Sequence, residues 1–302
     1  MHGIVLRQAR RSDLPLIGKL CARSVASPEE GIGYPRCEDE TELLAELALY
    51  ENTFEDNIVV VCDEANTPVG FAGFLVSDTD EASYLIGPML EGPLRNASVA
   101  AEVLIRLVRL PIGGRPLLNY VVDDNSMLTQ ALRDTGWQAG EVHLEMRYQL
   151  AGVIAPVSGD DTHAIRRMAG PADPAFSAVA ELLARQHGWT SDSSARLSDY
   201  LEDGYFVAVS ERNGRLAGCV LWVYLDGTDF GRLDYLSVDE PFQRRSCGSA
   251  LTRHMLADAH RTDGVEYVYL SVDPTNTAAH RLYRRHGFTD NLRSRKFTHE
   301  RR

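Results

Sequence analysis

The hydrophobic positions of the chain change period in a fixed order. Residues 5–9 alternate as a short strand, after which Leu14, Ile17, Leu20 and Cys21 fall on one face of a helix that Ser12 or Asp13 can cap. A second helical stretch covers 40–50. Residues 58–62 are an unbroken apolar run that reads as a buried strand, 63–68 as a turn and 69–76 as the hairpin partner. The same order returns further on, with a strand at 164–168, a helix at 175–186, a strand at 206–210, a turn at 211–214 and a strand at 216–224.

The recurrence can be tested by offset. Adding 148 to a number in the first half pairs Asp63 with Glu211, Gly70 with Gly218, Pro93 with Pro241, Arg95 with Gln243, Ser98 with Ser246 and Ala100 with Gly248. Adding 151 pairs Asn125 with Asn276, Gly136 with Gly287 and Trp137 with Phe288, so a three-residue length difference falls between Arg109 and Tyr120. The chain therefore reads as two copies of one fold, residues 1–150 and 161–302. The joining segment, 151–160, is rich in Gly, Pro and Ser.

The stretch from Leu233 to Leu251 carries the strongest chemical signal. Leu233 to Val238 alternates as a strand, Asp239 to Pro241 breaks it, and apolar positions at helical spacing resume at Ala250. Small residues at Ser246, Gly248 and Ser249 let successive backbone N–H groups face one point. The helix amino end behind them and the charges of Arg244 and Arg245 suit the loop to a phosphate or pyrophosphate.

Composition narrows the partners. The 302 residues carry 31 Lys and Arg against 43 Asp and Glu, a formal net charge of −12. Most of the excess lies early, with 12 basic and 23 acidic residues through Leu150. That sign disfavours a nucleic-acid partner. No apolar run approaches the roughly 20 residues of a membrane span, and no secretory leader is evident at the first residues, so a cytoplasmic location is expected. The five scattered cysteines form no Cys-x-x-Cys pair, which argues against a disulfide framework and a zinc site. Cys247 reads as a small residue filling the loop, although a helix amino end flanked by arginines can lower a thiol pKa. His260, His280 and His286 lie among arginines without a third ligand, so no metal is expected.

Two motifs resemble a known family. Gln243-x-x-Ser246-x-Gly248 is similar to the Arg/Gln-x-x-Gly-x-Gly/Ala loop with which GNAT acetyltransferases hold the pyrophosphate of acetyl-CoA, with Ser246 at a usual glycine. Asn276-x-x-Ala279-x-x-Leu282-Tyr283-x-x-x-Gly287-Phe288 resembles the family's second signature. A serine at position 246 would serve if its dihedrals are right-handed helical.

The resemblance implies an α/β (α+β) architecture of two tandem GNAT folds, each a mixed, mostly antiparallel sheet with splayed central parallel strands flanked by helices. In the second copy the splayed strands would be 232–238 and 267–272. It implies cofactor contacts from Leu236, Ser237, Val238, Gln243, Arg244, Arg245, Ser246, Cys247, Gly248, Ser249 and Asn276. Among Arg281, Arg284 and Arg285, a solvated face, Arg285 is the candidate for the 3′-phosphate of CoA. Tyr283 would protonate the leaving thiolate. Asp234 would accept the amine proton, or would pair with an arginine such as Arg232; Asp273, His187 and Trp189 are further candidates. In the first copy Leu132 stands for Tyr283 and Ile86 for Asp234, so that copy is expected to be catalytically silent.

The implied function is transfer of acetyl from acetyl-CoA to the primary amine of a small molecule (an amino sugar, antibiotic or metabolite), by a monomer or homodimer. A peptide or protein acceptor and a non-catalytic acyl-CoA sensor remain as alternatives.

Overall fold

The computed structural model describes residues 3–76, 82–110, 115–150, 164–189 and 192–300. The expected linker at 151–160 lies outside the described residues, as does part of the segment that holds the three-residue length difference. The chain divides into two compact units, Met1–Leu144 with Leu292–Arg302, and Glu145–Asn291.

The first unit runs β1 (Val5–Gln8), α1 (Leu14–Ala26), β2 (Ile32–Tyr34), α2 (Glu40–Leu49), α3 (Phe54–Asn57), β3 (Ile58–Cys62), β4 (Pro68–Leu75), β5 (Ser83–Leu90), α4 (Ala97–Leu107), β6 (Leu117–Val122), α5 (Ser126–Asp134) and β7 (Gln138–Gln149), whose last residues belong to the second unit. The second continues with β8 (Ala164–Arg167), α6 (Phe176–His187), α7 (Ser193–Glu202), β9 (Phe206–Arg212), β10 (Arg215–Tyr224), β11 (Phe230–Val238), α8 (Cys247–Ala259), β12 (Tyr267–Val272) and α9 (Thr277–Arg285), and β13 (Thr289–His299) starts in it and belongs to the first unit from Leu292 on. In each unit antiparallel strands lead up to a parallel pair, β5 with β6 and β11 with β12. β13 completes the first sheet: it lies antiparallel to β6 from Ser294 opposite Val122 to His299 opposite Leu117, and Phe297 is fully buried in that core.

The repeat extends to side-chain chemistry. Asn125 and Asn276 stand before α5 and α9 with nearly the same backbone angles, φ −77° and ψ 74° against φ −75° and ψ 72°. Each side chain accepts the N–H three residues on, which caps its helix. Near the start of each unit an arginine grips a buried aspartate, Arg7 with Asp13 at 2.7 Å and Arg166 with Asp173 at 2.6 Å. These ion pairs hold both carboxyls below the usual carboxylate range, chiefly through the hydrogen bonds from the arginines. Asp13 thus does not cap α1: its carboxylate accepts from the Arg7 guanidinium and from the Arg10 backbone N–H instead.

Candidate active site

β11 is where the second unit opens. It pairs with β12 from Phe230 opposite Tyr267 to Leu233 opposite Leu270, where the ladder between them ends. On its other side β11 stays paired with β10 to Val238, but the register shifts between Leu221 and Trp222 so that Asp234 is the extra residue of a bulge. A bulge bends the strand and re-aims its side chains. Asp234 and Tyr235 consequently reach the same aromatic cluster, although neighbours on a regular strand would face apart.

The loop after β11 enters α8 by two left-handed residues, Arg244 at φ +58° and Ser246 at φ +63°. The sequence set right-handed dihedrals as the condition under which Ser246 would serve. That condition is not met: Ser246 is left-handed, the geometry that favours glycine. A left-handed L-residue costs roughly 1–2 kcal/mol. Ser246→Gly should therefore stabilise the protein by about 1 kcal/mol, read as a higher urea midpoint at unchanged slope; an unchanged or lower midpoint would show that the serine side chain compensates.

The first turn of α8 has no side-chain cap, so its N–H groups face outward behind an exposed Gln243–Ser246 segment. Gly248 brings that turn close to its neighbours; a Cβ there would stand 3.3 Å from Leu282 Cδ2 and 3.6 Å from Val238 Cγ2. Ser249 Oγ shares a 2.7 Å hydrogen bond with His286 Nε2. Burial, with the charges of Arg253 and Arg285, pushes His286 down to about 4, so the imidazole is neutral at pH 7. Cys247 is buried, and burial raises its thiol pKa, against the lowering a helix amino end can bring. The thiol is inert packing.

The other sequence candidates fall into groups. The Val238 carbonyl accepts from Gln186 at 2.9 Å and from Gln243 at 3.1 Å, which ties the end of β11 to α6 and to the loop. Leu236 is half-buried, Ser237 is fully buried, and Ser237 Oγ shares a 2.8 Å hydrogen bond with His187 Nε2. Burial depresses the His187 pKa, so its ring too is neutral at pH 7. Asn276 spends its oxygen on capping α9. Arg285 is exposed on α9, whereas Arg284 pairs with Asp290. Asp273 accepts from Thr275 in the turn before α9.

Tyr283 is the buried residue of α9, 6% exposed, with its ring edge-on to Phe288. Burial holds its hydroxyl pKa well above 10, so it stays protonated. Asp234 is engaged: Arg232 Nε lies 3.0 Å from Oδ1, and Tyr205 donates its hydroxyl to Oδ2. Arg232 also donates to the Tyr205 hydroxyl at 2.7 Å. No hydrogen bond joins Tyr283 to Asp234 among the described residues.

Sequence reasoning missed Tyr200, Tyr205 and Tyr235, which surround Asp234 and Trp189. They lie on or beside α7 and β11. The one available signal was the crowding of aromatics at 189, 200 and 205.

The parallel pair β11–β12 is thus followed by a glycine-bearing helix start without a side-chain cap. Residues 176–288 match the acetyltransferase (GNAT) family. Over 191 residues it is 35% identical to the mycothiol acetyltransferase of Mycolicibacterium vanbaalenii, a match covering 59% of this chain and 63% of that protein. Identity to the mycothiol acetyltransferase of Mycobacterium sp. (strain JLS) is 32% over 167 residues, or 52% of this chain and 55% of that one. The matches thus span less than two thirds of these relatives. Among solved structures, a GCN5-related N-acetyltransferase from Sphaerobacter thermophilus superposes with a TM-score of 0.70 at 18% identity, covering 99% of this chain and 96% of that one. A tandem GNAT protein from the clavulanic acid biosynthesis pathway reaches 0.61 at 16% identity, covering 99% and 98%. Both show the fold. Among the described residues no helix is long and apolar enough to cross a membrane, and no cluster of three or more His, Cys, Asp or Glu could hold a metal.

Proposed function

We propose that the second unit transfers an acetyl group from acetyl-CoA to the primary amine of a small molecule. The observation that carries this reading is the end of the β11–β12 ladder at Leu233 and Leu270, with the uncapped start of α8 behind it. An extended amide arm adds to an open strand as another strand would, so Leu236, Ser237 and Val238 are the backbone partners assigned to pantetheine. The N–H groups at 246–249, the side chain of Gln243 and the charges of Arg244 and Arg245 are assigned to the pyrophosphate. The amide nitrogen of Asn276 and the guanidinium of Arg285 are assigned to the rest of the cofactor. A backbone N–H near Leu236 would polarise the thioester carbonyl. Tyr283 keeps its proton and gives it to the departing sulfur.

The amine must lose a proton to attack, since an alkyl ammonium near pKa 10 is mostly charged at pH 7. Two residues compete for this role. Asp234 stands on the bulged strand, but both of its oxygens are bonded to Arg232 or Tyr205. That engagement favours a second reading, in which neutral His187, bonded to Ser237 on the same strand, accepts the proton directly or through water.

In the first unit two asparagines act against a cofactor. Asn96 accepts the Val99 N–H and so caps α4, and Asn119 of β6 donates to the Leu85 and Gly87 carbonyls of β5 at 3.0 and 2.7 Å. The helix start is satisfied and the strand gap is bridged. Calorimetry with acetyl-CoA should therefore find one equivalent bound per chain, with affinity lost on Arg244→Glu with Arg245→Glu. Two equivalents, or one that survives both charge reversals, would overturn the assignment.

A further inference from the structure

Trp189 follows Gly188, which ends α6 in the left-handed conformation, φ 66° and ψ 30°. Its ring stacks on Tyr200 of α7 with centroids 5.7 Å apart, meets Tyr235 of β11 edge-on at 5.5 Å, and lies beneath the Arg196 guanidinium at 4.7 Å. Trp189 is 7% exposed, and its indole Nε1–H is buried with no hydrogen-bond partner. An indole N–H can only donate, and a buried one normally finds an acceptor.

The neighbouring polar groups are already matched to one another. Tyr200 and Tyr235 share a hydroxyl contact of 3.1 Å, Tyr205 and Arg232 serve Asp234, and His187 serves Ser237. Because Arg232 offsets the Asp234 charge, the cluster presents aromatic faces, the Arg196 guanidinium and the indole N–H rather than a bare carboxylate. Those features suit an uncharged oxygen on a compact ring better than a second ammonium group.

We propose that Trp189 is a specificity-determining residue: its Nε1–H donates to a hydroxyl or ether oxygen of the acceptor, which is therefore an amine carried on a hydroxylated ring. The aromatic faces of Tyr200 and Tyr235 cover the ring's C–H surface. This inference rests on the second unit being an acetyltransferase, and it refines the acceptor class for that site. Plain alkyl amines and polyamines, which offer no oxygen, are poor acceptors on this account.

Glucosamine and cyclohexylamine separate the two cases, since both are ring amines of similar size and only one carries oxygens. A ¹H–¹⁵N spectrum of the full chain with CoA present reads the three indole N–H signals, the Trp189 signal being the one that disappears in Trp189→Phe. Glucosamine should shift that signal and cyclohexylamine should leave it in place. In thiol-release assays Trp189→Phe should lower kcat/KM for glucosamine roughly tenfold, chiefly through KM, and lower that for cyclohexylamine much less. Equal losses with both amines, or an indole signal that neither amine moves, would overturn the proposal. A glucosamine-shifted signal without thiol release would instead sink the acetyltransferase reading and leave the binding contact standing.

Discussion

Tyr283→Phe is expected to lower acetyl transfer by about 10²- to 10⁴-fold, the usual worth of a positioned general acid, while acetyl-CoA binds as before. The substitution removes one hydroxyl and keeps the ring that packs edge-on against Phe288, so the helix should hold. Burial raises the Tyr283 pKa well above 10. The protonated form is the useful one, so its loss cannot cause an activity decline below pH 10. A rate unchanged in the variant would assign thiolate protonation to water, and an alkaline limb near pH 8 that vanishes in the variant would contradict the buried, protonated phenol.

Breaking the Arg232–Asp234 pair is expected to have the largest effect on stability. Arg232 is nearly buried, its side chain 7% exposed against 22% for Asp234. Removing one member of a buried pair costs about 3–5 kcal/mol because the other charge is left without a partner. Asp234→Leu takes the carboxylate from the more buried charge, which keeps the Tyr205 hydroxyl, and should cost near the lower end of that range. Arg232→Met leaves a carboxylate that water can still reach and should cost less. The double variant should recover most of the loss, since apolar replacement of a whole buried pair is often neutral. Denaturant midpoints of the four proteins give this cycle. Additive losses would show that the two side chains act independently, and an Asp234→Leu variant of wild-type stability with no turnover would return Asp234 to the role of proton acceptor.

What the sequence disclosed follows from how locally each feature is encoded. The Leu233–Leu251 stretch carries its own strand, break and helix start, and Asn276 with Tyr283 sits on a short amphipathic helix; both read directly. The two offsets made the repeat visible because turns and caps such as Asn125 and Asn276 keep their geometry. Other features depend on contacts distant in sequence. That residues 294–299 lie along β6 of the first unit is a pairing no local pattern announces. The bulge at Asp234 is equally hidden, because it arises from a register shift against β10 and not from a glycine or proline in β11. Helix α7 has Leu197 as its buried residue, too thin a stripe to show as period. The left-handed angle at Ser246 is hidden because serine ordinarily avoids it.

The central claim is that the second unit moves acetyl from acetyl-CoA to an amine, and free-thiol release tests it most directly. The full chain would be incubated with acetyl-CoA and separate pools of amino sugars, aminoglycosides, polyamines, amino acids and short peptides, and each pool would then be searched by mass spectrometry for an acetylated amine. The account predicts thiol release that depends on an amine pool, with a matching acetylated small molecule. Acetyl-CoA that binds yet releases no thiol with any pool would contradict it and would mark the chain as an acyl-CoA-binding protein without transferase activity toward these amines.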